Sequence, residues 1–348
     1  MSVHKRYSDL DLFKKGKKSV GEVEQTVTLD GWPKVRGFDY ERGGDLASFF
    51  ASLGSSGFQA TELFRAAEVV RKMKRARARV FFGFTSNMIT SGVREAVTYL
   101  CKKKLVDVVV ATAGGVEEDL IKVFKPFVLG HFDVPGKQLF DSGVMRAGNI
   151  FIPADRYLAL ERFTRPLLVQ LFRKQREQNK PITPSQFCKE AGLALEGVDG
   201  CESSFVYWCA KNKIPIFCPA LTDGSLGDLI YFFKKQEPSF AIDISDDVVA
   251  ITDLALGAEQ AGMVCLGGSV PKHHIANAFI FRDGGEFSVY ITTAQEEDGS
   301  NAGANHQEAM TWGKLKTNGA FAKVVGDATI LFPLLVASGA FAEEGGSS

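Results

Sequence analysis

Short β-branched and aromatic runs alternate with longer stretches of helical spacing along most of this chain. Residues 79–84 (Arg-Val-Phe-Phe-Gly-Phe), apolar from Val80 onward, read as a buried strand. From Gly92 to Lys104, the residues Val93, Val97, Leu100 and Cys101 recur at helical intervals. Val106–Ala111 predicts a second strand and Val116–Phe124 a second helix. Further strands are predicted at Ile214–Cys218, Phe240–Ile244, Met263–Leu266, Phe287–Ile291 and Lys323–Val325, with helical runs filling most of the gaps. Strands that alternate with helices imply right-handed crossovers and a mostly parallel sheet covered on both faces. The expected fold class is α/β, a Rossmann-like doubly wound sheet.

Residues 127–213 interrupt this rhythm. They carry an amphipathic segment over Arg156–Arg176, a loop with Pro181 and Pro184, and another helical run at Phe205–Lys211. The pattern predicts a helical insertion, with residues 31–348 forming one domain around it. The polar residues 1–30, with the run Lys14-Lys15-Gly16-Lys17-Lys18, read as a mobile N-terminal arm.

Composition narrows the function classes. The chain has 348 residues, 45% of them hydrophobic and 24% charged, which suffices for a large core. Its 41 basic and 41 acidic residues cancel. Phosphate-driven binding of nucleic acid normally shows as a basic excess, so no nucleic-acid partner is expected. No apolar segment follows the basic run, and the apolar stretch Ile330–Ala342 is too short to span a bilayer, so no membrane partner is expected. Six cysteines are scattered without a Cys-x-x-Cys pair, which predicts reduced thiols and a cytoplasmic protein. His273 and His274 are adjacent and point apart on a helix, with no third ligand at metal spacing, so no metal site is expected.

In an open parallel sheet, ligands bind at the carboxyl ends of the strands. Polar or glycine-rich loops follow the predicted strands here at 85–92, 112–119, 219–228, 267–277 and 292–300. Glycines let a backbone approach a ligand closely, and loops that enter helices offer free N–H groups to phosphate. No Gly-x-Gly-x-x-Gly follows the first strand, so the usual dinucleotide fingerprint is absent. The joint placement of these loops still points to a dinucleotide site.

Read in order, the segments TSNMITSG (85–92), TAGGVEEDLIK (112–122), PALTDGSLGD (219–228), KHHIAN (272–277), TAQEEDGS (293–300), EAMTWGK (308–314) and GDATILFPLLVA (326–337) resemble those of the deoxyhypusine synthase family. VRGFDYERG (35–43) and GSSGFQAT (54–61) also match, so the likeness runs from about Trp32 to Phe341. The resemblance implies an NAD-dependent aminobutyltransferase. Spermidine is oxidised to an imine, the butylimine passes to an enzyme lysine, and then to a lysine of the precursor of eukaryotic translation initiation factor 5A. The lysine of this family follows Trp-Gly, which implies Lys314.

The resemblance further implies His273 as proton acceptor and Glu118 near the reacting centre. It implies Asp228, Tyr290, Glu308 and Trp312 as polyamine contacts. For NAD it implies Ser86, Asn87, Thr90, Thr112, Ala113, Gly114, Glu118, Asp223, Gly267, Gly268, Thr293, Ala294, Asp298, Asp327 and Ala328. Asp327 also has the position of an N-cap for the apolar helix after it. A homotetramer with active sites shared between subunits is implied.

Three positions depart from the family pattern. Asn301 and Ala302 stand where many members have Asp and Ser, and Ser269 replaces the last glycine of a Gly-Gly-Gly loop. Asn301 keeps an acceptor oxygen without the charge, which is expected to weaken spermidine binding about tenfold or more. Ser269 is expected to be strained if its φ is positive. Two alternatives follow: a homospermidine synthase-type transferase, or a regulatory paralogous subunit of a hetero-oligomeric enzyme. The presence of Lys314, His273 and Glu308 favours a working enzyme.

Overall fold

Six of the apolar runs become the strands of one sheet: β1 (Arg79–Phe84), β2 (Val108–Ala111), β3 (Ile216–Phe217), β4 (Ala261–Leu266), β5 (Gly285–Thr292) and β6 (Leu315–Val325). The computed structural model describes residue 29 and residues 31–342, so the arm expected over residues 1–30 lies outside the described residues apart from Leu29. The strand order is β3-β2-β1-β4-β5-β6. Every pairing in it is parallel. This is the doubly wound order, with its reversal between β1 and β4.

Both faces are covered, which is why β1 and β4 read as apolar runs and not as alternating ones. Successive side chains still go to opposite faces. Phe82 stacks on Phe332 of the helix Ala328–Ala337 at 5.4 Å. That face also holds Val70, Val97, Leu120 and Val206 from the helices Phe58–Arg75, Val93–Lys102, Ala113–Phe124 and Phe205–Asn212. Phe81 meets Phe279 edge-on at 5.0 Å on the other face. There the helices Ser245–Leu256 and Ser269–Ile280 bring Ile251 and Ile275 against Met263 and Cys265.

Two expectations need correction. Phe240–Ile244 forms no strand; it makes only an isolated bridge between Ile182 and Ile242. Phe240 instead packs edge-on against Phe172 and Phe233, at 6.1 and 5.1 Å. A short apolar run does not by itself distinguish a strand from a loop buried under helices. The insertion is also not purely helical. It opens with a three-stranded antiparallel sheet of Val128–Leu129, Val144–Ala147 and Ile150–Pro153. Its strands are too short and too exposed to show a period of two.

The expected helices follow, at Asp155–Gln178, Pro184–Ala194 and Phe205–Asn212. Thr183 and Gln186 close a capping box at the start of the second, where Pro184 needs no N–H partner. The third is tied to the sheet domain by Asp119. Its buried carboxylate pairs with Arg94 Nε at 2.7 Å, accepts from Ser204 Oγ at 2.5 Å, and accepts from Val206 N at 3.1 Å. All six cysteines are free thiols. No helix among the described residues is long and apolar enough to cross a membrane.

Candidate active site

The loops after β1 and β4 meet at the reversal of strand order. Gly267 there has φ +75°, and a Cβ on it would lie 3.2 Å from Thr85 Oγ1. The helix Ala113–Phe124 begins three residues earlier than the sequence pattern predicts, so Gly114 lies in its first turn. A Cβ on Gly114 would come within 2.8 Å of Ser86 Cβ, so the segments after β1 and β2 touch where only glycine fits. Thr112 Oγ1 is buried here with no hydrogen-bond partner among the described residues. A buried orphan hydroxyl beside the N–H groups of a helix start suits a polar ligand.

Asn87 and Thr90 lie in the short helix Asn87–Thr90. Thr90 Oγ1 donates to Glu118 Oε2. Burial pushes the Glu118 carboxyl up to about 7, against the pull of the Thr90 hydrogen bond. Lys122, one helical turn on, donates to the carbonyls of Ile89, Thr90 and Ser91 at 2.6, 2.7 and 3.3 Å. Burial lowers this ammonium to about 8. Sequence reasoning passed over Lys122. Its signal was the i, i+4 spacing from Glu118 on one helix face.

Asp223 and Gly224 follow β3, where Glu117 accepts from Leu226 N at 2.9 Å and leaves no room for a Cβ on Gly224. Thr293, Ala294 and Asp298 follow β5, and Asp298 accepts from Ser300 N at 2.6 Å. Asp327, after β6, does cap the helix Ala328–Ala337 through Thr329 N at 2.8 Å.

Lys314 and His273 form a second group. The Gly285 N–H donates to the Lys314 carbonyl at 3.1 Å, which places this residue at the amino end of β6 and not among the loops at the carboxyl ends. Its side chain nevertheless reaches the helix Ser269–Ile280, where Nζ lies 3.3 Å from His273 Nε2. Burial lowers the Lys314 ammonium below the ordinary lysine range, and nearby Glu308 acts the other way. Burial first, and Lys314 second, also lower the His273 imidazolium. Both groups are biased to their neutral forms. Lys314 Nζ is 5.7 Å from the centroid of the exposed Trp312 ring.

Asn277 Nδ2 lies 3.1 Å from His273 Nδ1. With the amide nitrogen facing the ring, Nδ1 accepts and Nε2 carries the ring proton toward Lys314 Nζ. Turning the Asn277 amide over reverses this and frees Nε2 to take a proton. The KHHIAN motif contained Asn277, and the four-residue step from His273 is the signal for its role. His273, His274, Asn277, Ser269, Val270 and Asn301 line a cavity of about 380 Å³.

The other expected residues divide. Tyr290 is only 1% exposed; His306 stacks on it at 4.4 Å and Lys272 Nζ lies 3.9 Å from its ring centroid. Asn301 Nδ2 donates to the Ser269 carbonyl at 3.1 Å. Ser269 does have a positive φ, +54°. Within one chain, Glu118 has no contact with Lys314 or His273 among the described residues. Asp228 follows β3 and Lys314 immediately precedes β6, the two opposite edges of the sheet. Five strand spacings of about 4.8 Å separate the two edge strands, roughly 24 Å. The helix that carries Asp228 and the helix that carries His273 also lie on opposite faces, since Leu226 and Ile230 belong to one core and Ile275 and Ala276 to the other. No group of three or more His, Cys, Asp or Glu that could hold a metal ion occurs among the described residues.

Residues 48–339 match the family model described as deoxyhypusine synthase. A deoxyhypusine synthase of Musa acuminata is 40% identical over 333 residues, covering 88% of this chain and 88% of the relative. One from Senecio vernalis is 41% identical over 341 residues, covering 90% and 91%. A probable deoxyhypusine synthase of Methanocaldococcus jannaschii is 45% identical over 290 residues, covering 80% and 88%. The crystal structure of a candidate deoxyhypusine synthase from Entamoeba histolytica aligns with TM-score 0.59 at 26% identity, covering 87% of this chain and 96% of that one.

Proposed function

The chain belongs to the deoxyhypusine synthase family, and from that premise we propose that it transfers the aminobutyl group of spermidine, by way of an imine on Lys314, to a lysine of the precursor of eukaryotic translation initiation factor 5A. The observation that carries this reading is the contact between Lys314 Nζ and His273 Nε2 at 3.3 Å, with both groups biased to neutrality. A lysine attacks an imine carbon only as a free amine.

NAD would occupy the carboxyl edge of the sheet. The buried, unpartnered Thr112 hydroxyl and the close approach of Gly114 to Ser86 fit a dinucleotide there. Ser86, Asn87, Thr90, Thr112, Ala113, Gly114, Gly267 and Gly268 would line its path, with Glu118, Asp223, Thr293, Ala294, Asp298, Asp327 and Ala328 as polar or close-packed neighbours. When bound, NAD supplies the oxidation of spermidine and the final reduction.

The protein groups handle protons and the carbon chain. His273 takes the proton from the spermidine amine. Neutral Lys314 adds to the imine carbon, the C–N bond to diaminopropane breaks, and that amine leaves with a proton. The acceptor lysine then displaces Lys314 from the butylimine in the same way. Asp228 and Glu308 would hold the ammonium groups and Trp312 would face the chain, with Tyr290 behind them and Asn301 offering a neutral amide.

Asp228 and Lys314 stand at opposite edges of one sheet, which supports a site built from two copies of the chain and a tetrameric assembly. Lys314→Ala and Asp228→Ala proteins, each inactive alone, should then complement on subunit exchange and recover about one quarter of wild-type transfer. No recovery, together with transfer by a monomeric wild type, would overturn the shared site. Assay with NAD, spermidine and the protein acceptor tests the activity itself. Transfer to putrescine in place of the acceptor, or dependence on a paralogous chain, would contradict it in favour of the two alternatives. The reading is of a cytoplasmic enzyme.

A further inference from the structure

Two of the positions that depart from the family pattern touch each other. Ser269 holds φ +54° at the turn after β4, a conformation in which a Cβ is crowded. The Asn301 side-chain amide donates to the carbonyl of that same residue at 3.1 Å. The loop carrying Asn301 lies directly on the turn, because a Cβ on Gly268 would fall 2.3 Å from Ala302 Cα. Lys272, in the first turn of the following helix, fastens the loop from below through the carbonyls of Asn301 and Ala304, at 2.7 and 2.9 Å.

We infer that Asn301 is a positioning residue, a latch that holds the strained Gly267-Gly268-Ser269 turn in shape for the dinucleotide. The inference rests on the functional reading above, in which this turn lines the NAD path. A carbonyl oxygen can only accept, so the partner at 301 must be a donor. Asn supplies one and Asp does not. A carboxylate in its place would face the Ser269 carbonyl and repel it. Serine at 269 and asparagine at 301 thus form a matched pair: the first introduces strain into the turn and the second restrains it. The side chain that holds the turn also lines the cavity beside His273, so it links the cofactor turn to the substrate loop.

The test is a double-mutant cycle on the full chain, with NAD affinity measured by calorimetry and spermidine KM by steady-state kinetics. Asn301→Ala loses one neutral hydrogen bond and should weaken NAD binding roughly 3- to 10-fold. Asn301→Asp should weaken it at least as much. Ser269→Gly, which tolerates a positive φ without help, should restore most of that loss in the double variants. Additive effects would overturn the latch. So would an Asn301→Asp protein with unchanged NAD affinity and a lower spermidine KM, which would make residue 301 a direct polyamine contact. A wild type that binds no NAD would instead defeat the functional reading. The latch would then stand or fall on the melting temperatures of the ligand-free proteins, where the same non-additivity is expected.

Discussion

Lys314 Nζ and His273 Nε2 lie 3.3 Å apart although 41 residues separate them in the chain. The contact joins the amino end of an edge strand to the flank of the helix that starts at the strand-order reversal. On the mechanism proposed above, the protonation state of Lys314 is the quantity on which transfer depends. Burial lowers its ammonium and Glu308 opposes that shift. Removing the charge with Glu308→Gln should therefore lower the Lys314 pKa further. The rate of imine capture rises with pH as the amine becomes free, so this rise should move to lower pH in the variant. It can be read from borohydride trapping across a pH series. A rise that moves to higher pH would contradict the assignment of Glu308 as a neighbour that favours the charged amine.

Asn277 faces Nδ1 of His273 at 3.1 Å, so the orientation of its amide selects which ring nitrogen carries the proton. Asn277→Asp places a carboxylate against Nδ1, which must then hold a proton, and raises the His273 pKa from its depressed position. The shift should be visible by NMR titration of that imidazole. Asn277→Ala leaves Nδ1 without its partner and should lower kcat about tenfold, with NAD binding unchanged. An unmoved imidazole pKa in Asn277→Asp would show that the two side chains do not interact in solution.

Glu118 should leave a mark on stability as well as on chemistry. Its carboxyl is raised to about 7 from a reference of 4.5, chiefly by burial. A group raised in the folded state contributes stability that is full below its unfolded pKa and is lost as pH rises through the folded one. The protein should therefore lose stability between about pH 4.5 and 7 on account of this residue. Glu118→Gln keeps an acceptor for Thr90 and has no charge to bury. Its advantage over wild type should grow across that window to a value on the order of 3 kcal/mol. Denaturant midpoints of the ligand-free proteins at pH 5 and pH 8 check this, and a constant difference would refute it.

The central α/β plan was legible because both faces of the sheet are covered, which leaves unbroken apolar runs such as 80–84 and 261–266. The small antiparallel sheet was not legible, since two- and four-residue strands with exposed side chains carry no period. Phe240–Ile244 misled for a physical reason: Phe240 is buried against Phe172 and Phe233 of two helices, so a loop carries apolar side chains like those of a buried strand. At the site, the motifs singled out Lys314 and His273 as candidates but not their location or their contact. The contact depends on a long side chain reaching from the wrong end of the strand. Lys122 and Asn277 were missed because each acts on the protein and not on a ligand, Lys122 on the carbonyls of Ile89, Thr90 and Ser91 and Asn277 on His273. Tyr290 reads as a polyamine wall in the motif, whereas in the fold its ring is already paired with His306 and Lys272.

Asp119 is the residue whose loss should damage the fold most while leaving the site chemistry intact. Its carboxylate is fully buried and satisfies Arg94 together with the start of the helix Phe205–Asn212. Asp119→Ala strands a buried guanidinium and should cost about 3–5 kcal/mol. Replacing both residues, as Arg94→Met with Asp119→Leu, should cost less than Asp119→Ala alone. Urea unfolding of the variants measures it, and a single variant within about 1 kcal/mol of wild type would contradict the account of the insertion as anchored through this carboxylate.

The most direct test of the account is covalent. The full chain is incubated with NAD and spermidine, treated with borohydride, digested and mapped by mass spectrometry. The account predicts a single reduced aminobutyl adduct on Lys314, absent without NAD, and absent from Lys314→Ala protein that still binds NAD. An adduct on any other lysine, or full transfer to the acceptor by Lys314→Ala, would contradict it.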